Sequence, residues 1–64
     1  MLGNSLLTTL EAAEFLRIEK RTLENWRVSG RGPSFVRLGG AVRYKIVALE
    51  KFISENERYS TVKA

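Results

Sequence analysis

Residues 8–28, TTLEAAEFLRIEKRTLENWRV, decide the fold, because they contain the patterns of two short helices separated by only a few residues. Thr8 followed three residues later by Glu11 has the spacing of a capping box, which predicts that the first helix begins there. Arg17 and Ile18 then form the turn, with Ile18 filling the angle between the helices.

The second helix is predicted to run from about Lys20 to Val28. Leu23 and Trp26 lie three residues apart and form its apolar stripe. The pair Ser29-Gly30 ends the helix, since glycine readily adopts the left-handed conformation found there. Glu19 stands at the start, where serine or aspartate would be a better cap.

A β-hairpin and a last helix are predicted to follow. Strands at Phe35–Leu38 and Val42–Lys45 surround Gly39-Gly40, the dipeptide that a tight hairpin turn needs. The last helix runs from about Ile46 to Asn56. Three apolar residues of this helix are expected to be buried: Leu49, Phe52 and Ile53. The order helix, helix, two-stranded wing, helix predicts an α+β winged helix-turn-helix fold.

The composition predicts one small domain that folds without disulfide bonds or a bound metal. We expect a single domain over residues 1–64, with a core at about 6–56 and flexible ends. The chain has no cysteine and no histidine, which excludes disulfides and argues against a zinc site, so no cofactor is expected. Without a signal peptide or an apolar run of membrane length, a soluble cytoplasmic protein with no membrane partner is expected, associated with the nucleoid when bound.

The basic residues are concentrated in the middle of the chain. Residues 17–45 contain eight basic and two acidic residues, a net charge of +6, whereas the remainder has three basic and five acidic residues, a net −2. This asymmetry favours a polyanionic partner. The alternative is a soluble domain that is merely basic.

Catalytic chemistry is hard to build from these residues. Besides histidine and cysteine the chain lacks aspartate, so Ser-His-Asp and Cys-His arrangements are impossible. All seven acids are glutamates, and exposed glutamate pairs are ordinarily solvated. Gly39-Gly40 is not followed by the lysine and helix of a phosphate-binding loop. The sequence predicts that the protein is not an enzyme.

The basic and polar residues of the second helix and the wing suit double-stranded DNA. Those assigned to DNA binding are Lys20, Arg21, Thr22, Asn25, Arg27, Arg37, Arg43 and Lys45. In a helix-turn-helix protein the start of the second helix enters the major groove. There Arg21 can donate to guanine and Asn25 can pair with adenine, while Lys20 is better placed for a phosphate. Arg27, near the helix end, is expected on the DNA backbone or on a carbonyl group.

Several of these residues have a structural alternative. Lys20 and Arg21 can be solvated charges, and Thr22 can be a local cap. Glu24 can accept from cytosine, but pairing with Lys20 or Arg27 in the same helix is favoured.

The wing residues have alternatives of their own. Wing cations can enter the minor groove or hold phosphates, yet they also protect an edge strand from aggregation. Trp26 and Tyr44 are expected in the core rather than on DNA.

The chain from Leu6 to Ile53 resembles the small winged-helix excisionases and AlpA-type regulators, relatives of the MerR-like DNA-binding domain. The resemblance is carried by the leading Leu-Thr-Thr with Glu-Ala-Ala, by Thr22-Leu23 with Trp26, by the Gly-Pro step before the hairpin, and by VRLG ahead of VRY. The sequence departs from the family at Arg17, where glycine is frequent, and at Glu19, where serine is frequent.

The resemblance implies a second helix in the major groove and a wing at the neighbouring minor groove or backbone. Stand-alone members of this family bind repeated sites cooperatively, bend the DNA and steer an integrase of a phage or mobile element toward excision. Others regulate transcription. We therefore expect an excisionase, with a transcriptional regulator as the alternative and a protein-interaction adaptor as a third hypothesis. The chain beyond about Ile53 leaves little room for an effector pocket, so no small-molecule effector is expected.

Overall fold

The computed structural model describes residues 5–58, which form helices and one antiparallel sheet. In chain order the elements are β1 (Leu6–Leu7), α1 (Thr9–Leu16), α2 (Lys20–Ser29), β2 (Val36–Leu38), β3 (Ala41–Lys45) and α3 (Ile46–Glu55). The predicted α+β winged helix-turn-helix is confirmed, with α1 and α2 as the helix pair. We use the word wing for β2, β3 and the turn between them.

Helix α1 begins at a well-formed cap and ends at a strained residue. The Glu11 N–H donates to Thr8 Oγ1 at 3.1 Å, and the Thr8 N–H donates to Glu11 Oε1 at 2.9 Å, which confirms the predicted capping box. At the other end Arg17 lies in the left-handed region with a φ of 59°, and the Ile18 N–H donates to the Ala13 carbonyl at 3.0 Å. A non-glycine residue in this conformation costs about 1–2 kcal/mol. The sharp turn between the helices is therefore built at a cost in stability.

Helix α2 has a weak start and a regular end. Glu19 occupies the N-cap position, but its side chain makes no capping hydrogen bond. Gly30 ends the helix in the left-handed conformation, as predicted. Leu23 is fully buried, whereas Trp26 is half-buried and its ring lies 5.5 Å from that of Phe52 on α3. This aromatic pair joins the second helix to the last one.

The sheet has three strands rather than the predicted two. Its order is β1-β3-β2, with Leu6 opposite Lys45 and Leu7 opposite Tyr44 in an antiparallel pairing. A two-residue strand cannot display the alternation by which strands are recognised in a sequence, so β1 left no signal. Its pairing makes β3 the central strand and places the start of α1 beside the wing.

The core lies where the helices meet the inner face of β3. Its fully buried residues are Ala12, Ala13, Leu23, Tyr44 and Leu49. The expectation that Tyr44 packs inside is confirmed. The expectation that Ile53 is buried is wrong, because it is 46% exposed and lines an open apolar groove of about 310 Å³ with Trp26 and Phe52. The predicted flexible ends lie largely outside the described residues, which leave out 1–4 and 59–64.

The loop between α2 and β2 approaches Trp26 closely at Gly32. This glycine has a φ of 82°, and a Cβ atom added to it would lie 2.8 Å from Trp26 Cε3. Both the conformation and the space therefore require glycine here. The loop packs on the indole and leads the chain directly into the wing.

Candidate nucleic-acid interface

The outer side of α2 carries Arg21, Asn25 and Val28. Their i, i+4, i+7 spacing places them in one stripe, on the side of the helix away from buried Leu23. Arg21 and Asn25 are exposed, and Val28 is 87% exposed. The stripe thus offers a guanidinium, a side-chain amide and a branched apolar group. Val28 was missed by the sequence reasoning, because a valine two residues after Trp26 gives no sign of facing outward.

Two cations occupy the first turn of α2. Lys20 and Arg21 are exposed there, beside a half-buried Thr22. The positive end of the helix dipole disfavours cations at this position, so local stability does not account for them. Lys20 Nζ lies 3.6 Å from Glu24 Oε2 one turn later, which confirms the predicted intrahelical pair. With both side chains about half exposed, this pair adds only a few tenths of a kcal/mol.

Lys20 and Arg43 line one cleft between α2 and the wing, although they come from opposite ends of the basic segment. The cleft has a volume of about 360 Å³. Its remaining walls are Thr8, Thr9, Leu10, Glu24, Gly40, Ala41 and Val42. We call it the helix–wing cleft. No local sequence pattern indicates that the start of α1 forms one wall, because this position depends on long-range contacts such as the pairing of β1 with β3.

The two arginines of the wing lie on opposite faces of the hairpin. In the register of β2 and β3, Arg37 faces Val42 and Arg43 faces Val36. Because directly opposed residues of an antiparallel pair share a face, Arg37 is on the side of the core and Arg43 on the other side. Arg43 Nη1 donates to the Val42 carbonyl at 2.8 Å, whereas the Arg37 guanidinium lies 5.8 Å from the centre of the Phe35 ring. Only Arg43 of this pair reaches the helix–wing cleft.

Lys45 is separate from the cleft. It is exposed and borders a small depression of about 90 Å³ with Ser34, Phe35, Val36 and Ala48. It also occupies the N-cap position of α3 without making a capping hydrogen bond. A cation at a helix start is unfavourable, as it is for the first turn of α2.

Arg27 occupies a different environment from the other seven residues assigned to DNA. It is half-buried, and its Nη1 donates to Tyr44 Oη at 3.0 Å and to Thr9 Oγ1 at 3.3 Å. Its guanidinium carbon lies 5.8 Å from the centre of the Phe35 ring. The side chain therefore points between α1 and the wing rather than outward with Arg21.

None of the helices described within residues 5–58 is both long enough and apolar enough to cross a membrane.

The comparison with known families identifies a match over most of the chain. The family described as "Helix-turn-helix domain" matches residues 6–57, which extend from β1 through α3. No curated protein is similar enough in sequence to match this chain.

Proposed function

We propose that this chain, which belongs to the helix-turn-helix domain family, is a sequence-specific DNA-binding factor of the excisionase type. The family is a DNA-binding family and not an enzymatic one, so the activity proposed is to bind and arrange DNA. In this role the protein would bind and bend attachment-site DNA and steer an integrase toward excision of a mobile element.

Helix α2 is the proposed reader of the major groove. Arg21 is assigned to guanine and Asn25 to adenine, because each can make a bidentate contact with the edge of that base. Val28, exposed on the same stripe, is suited to the methyl group of thymine. Lys20 and Thr22, at the start of the helix, are assigned to phosphates. These contacts would set the register of the helix on the duplex.

The wing is the proposed second contact with DNA. Arg43 is assigned to the backbone or minor groove next to the reading helix, because it lines the same cleft as Lys20. Arg37 and Lys45 lie on other surfaces of the wing, and we assign them weaker contacts with flanking phosphates. Cations placed where they do not stabilise a helix, as Lys45 is, are typical of functional positions.

The observation that carries the proposal is the helix–wing cleft. Lys20 and Arg43 come from a helix and a hairpin, yet they share its walls with the hydroxyl-bearing residues Thr8 and Thr9. Two cations and two hydroxyl side chains, against the single acid Glu24, surround one open cleft and form a surface that suits a phosphate backbone.

DNA binding can be tested by fluorescence anisotropy on a short labelled duplex that the protein selects from a random pool. Affinity should fall steeply with salt, and Arg43→Ala should lower the slope of log K against log[salt] by about one unit, because one phosphate contact is lost. Arg21→Ala should relax discrimination at one base pair by about 1–3 kcal/mol. Lys51→Ala removes an exposed cation from α3, outside the cleft, and should change neither quantity. Unchanged binding by both arginine variants would contradict the site assignment.

The excisionase role has its own test and its own alternative. If the gene for this protein lies beside an integrase gene, deleting the gene for this protein should abolish excision of the element. Excision is measured as the frequency of the rejoined attachment site. An unchanged frequency together with altered transcript levels would indicate the alternative, a small transcriptional regulator. Cooperative self-association on repeated sites would appear as a Hill coefficient above one on a duplex that carries two sites.

A further inference from the structure

Arg27 joins three elements that form the proposed DNA-binding surface. Its Nη1 donates to Thr9, the first residue of α1, and to Tyr44 in β3. Its guanidinium also lies beside the ring of Phe35, which precedes β2. One side chain of α2 thus contacts both the start of α1 and the base of the wing.

The Tyr44 hydroxyl depends on this contact. Tyr44 is only 1% exposed, and a phenol hydroxyl that is removed from water requires a partner inside the protein. Its ring also lies 6.0 Å from that of Phe35. Since Tyr44 stands between Arg43 and Lys45 in β3, its position fixes where those two cations emerge from the strand.

We propose that Arg27 is a positioning residue that sets the angle between α2 and the wing, and that its contact with Tyr44 holds Arg43 at the correct separation from Lys20 across the helix–wing cleft. This inference rests on the proposed function, and it replaces the direct DNA contact that the sequence suggested for Arg27. A guanidinium suits the role because its donors have a fixed planar geometry, so one group can hold two acceptors at set directions.

The phosphates of a duplex have a fixed spacing, so α2 and the wing can both contact DNA only when the angle between them is correct. Loss of the Arg27–Tyr44 contact would leave the helices packed through Leu23 and Leu49 while freeing the wing to vary in angle. DNA affinity should then fall only because the contacts of the wing with DNA are weakened, and base recognition by Arg21 should persist.

Tyr44→Phe tests this directly, because it removes one buried hydroxyl and changes neither the charge nor the ring. Affinity should fall up to roughly tenfold, because binding must then restore the helix–wing angle that this hydrogen bond sets in the free native protein. In this background Arg43→Ala should cost less than it does in the native protein, whereas Arg21→Ala should cost the same in both. Arg27→Lys, which keeps the charge but not the planar fork, should behave like Tyr44→Phe, with folding of each variant verified by urea denaturation.

A second readout needs no DNA. The chain has no cysteine, so spin labels can be placed uniquely at Val28→Cys and Gly40→Cys, one on α2 and one at the tip of the wing. Tyr44→Phe should broaden the distance distribution between these labels. A control pair at Val28→Cys and Ser54→Cys, which spans α2 and α3, should keep its native width.

The two readouts separate the possible failures. An unchanged Val28–Gly40 distribution would overturn the positioning role, whatever happens to DNA affinity. If Tyr44→Phe broadened the Val28–Gly40 distance distribution but Arg43→Ala still lowered DNA affinity as much as in the native protein, the positioning role of Arg27 would have no connection to DNA binding. If the native protein bound DNA without salt dependence, the proposed function itself would fail, while the distances would still decide whether Arg27 sets the wing angle.

Discussion

Lys20 and Glu24, which both line the helix–wing cleft, form an ion pair of 3.6 Å, so the first cation of α2 is partly neutralised in the free protein. Glu24 is also the only acid on α2, facing a surface that is otherwise suited to an anion. In the proposed complex with DNA this pair would weaken indiscriminate attraction to the duplex, since Lys20 would have to leave Glu24 to reach a phosphate.

Replacing this acid should strengthen DNA binding. Glu24→Gln is expected to raise affinity for any duplex roughly two- to fivefold at low salt, because a charge of the same sign as phosphate is removed and Lys20 is released. Anisotropy on a selected and a scrambled duplex measures the effect. Glu55→Gln breaks the equivalent pair with Lys51 on α3, at 3.8 Å, and should leave affinity unchanged. A loss of affinity confined to duplexes with one particular cytosine would show instead that Glu24 reads that base.

Gly32 should tolerate alanine far less well than Gly30. Both have positive φ angles, but a Cβ atom at Gly30 meets nothing within 4 Å, whereas at Gly32 it meets the Trp26 ring. We expect Gly30→Ala to cost about 1 kcal/mol from backbone strain, and Gly32→Ala about 2–4 kcal/mol because overpacking adds to it. Urea denaturation followed by tryptophan fluorescence measures both. Equal losses would mean that the loop moves away from the indole without cost.

The turn between the helices should be improved by glycine. Arg17→Gly relieves a left-handed arginine, and we expect a gain of about 0.5–1 kcal/mol in the free energy of unfolding after the entropy of the unfolded chain is counted. Arg17→Ala removes the same charge but keeps the strained conformation. It should therefore give no gain, and an equal gain from both variants would trace the effect to charge instead.

Replacing Lys45 should raise the stability of the protein and lower its affinity for DNA. Lys45→Ser places a good cap at the start of α3, which we expect to stabilise the protein by about 1 kcal/mol. The same change should weaken DNA binding and lower its salt slope by about one unit if the lysine contacts a phosphate. Glu19→Ser makes the corresponding improvement at α2 and should stabilise the fold without any loss of salt slope. A Lys45→Ser variant with native affinity would remove this residue from the DNA-binding set.

The features that local spacing encodes could be predicted from the sequence. The capping box of Thr8 and Glu11, the end of α2 at Gly30 and the hairpin turn each depend on residues a few positions apart. The Lys20–Glu24 pair belongs to the same class, since one turn of helix brings the two side chains together. Such features need no knowledge of the tertiary structure.

Features that depend on contacts between distant elements could not be predicted. Spacing places Arg27 near the apolar stripe of α2, but it does not show that the Tyr44 hydroxyl arrives opposite it. The pairing of Leu6 with Lys45 is equally remote, and with it the position of the start of α1 in the cleft. Ile53 has the spacing of a core residue, yet it lines an open groove and is partly exposed.

The pairing of Leu7 with Tyr44 makes the helix pair inseparable from the rest of the chain during folding. Helices of eight and ten residues are too short to persist alone in water, where about 12–15 residues are marginal even for favourable sequences. Leu7 is synthesised well before Tyr44, so β1 can pair with β3 only after most of the described chain has been made. Until then β3 lacks one of its two neighbouring strands. The proposed DNA-reading surface should thus appear in one late, cooperative step, and a chain truncated before β3 should display none of it.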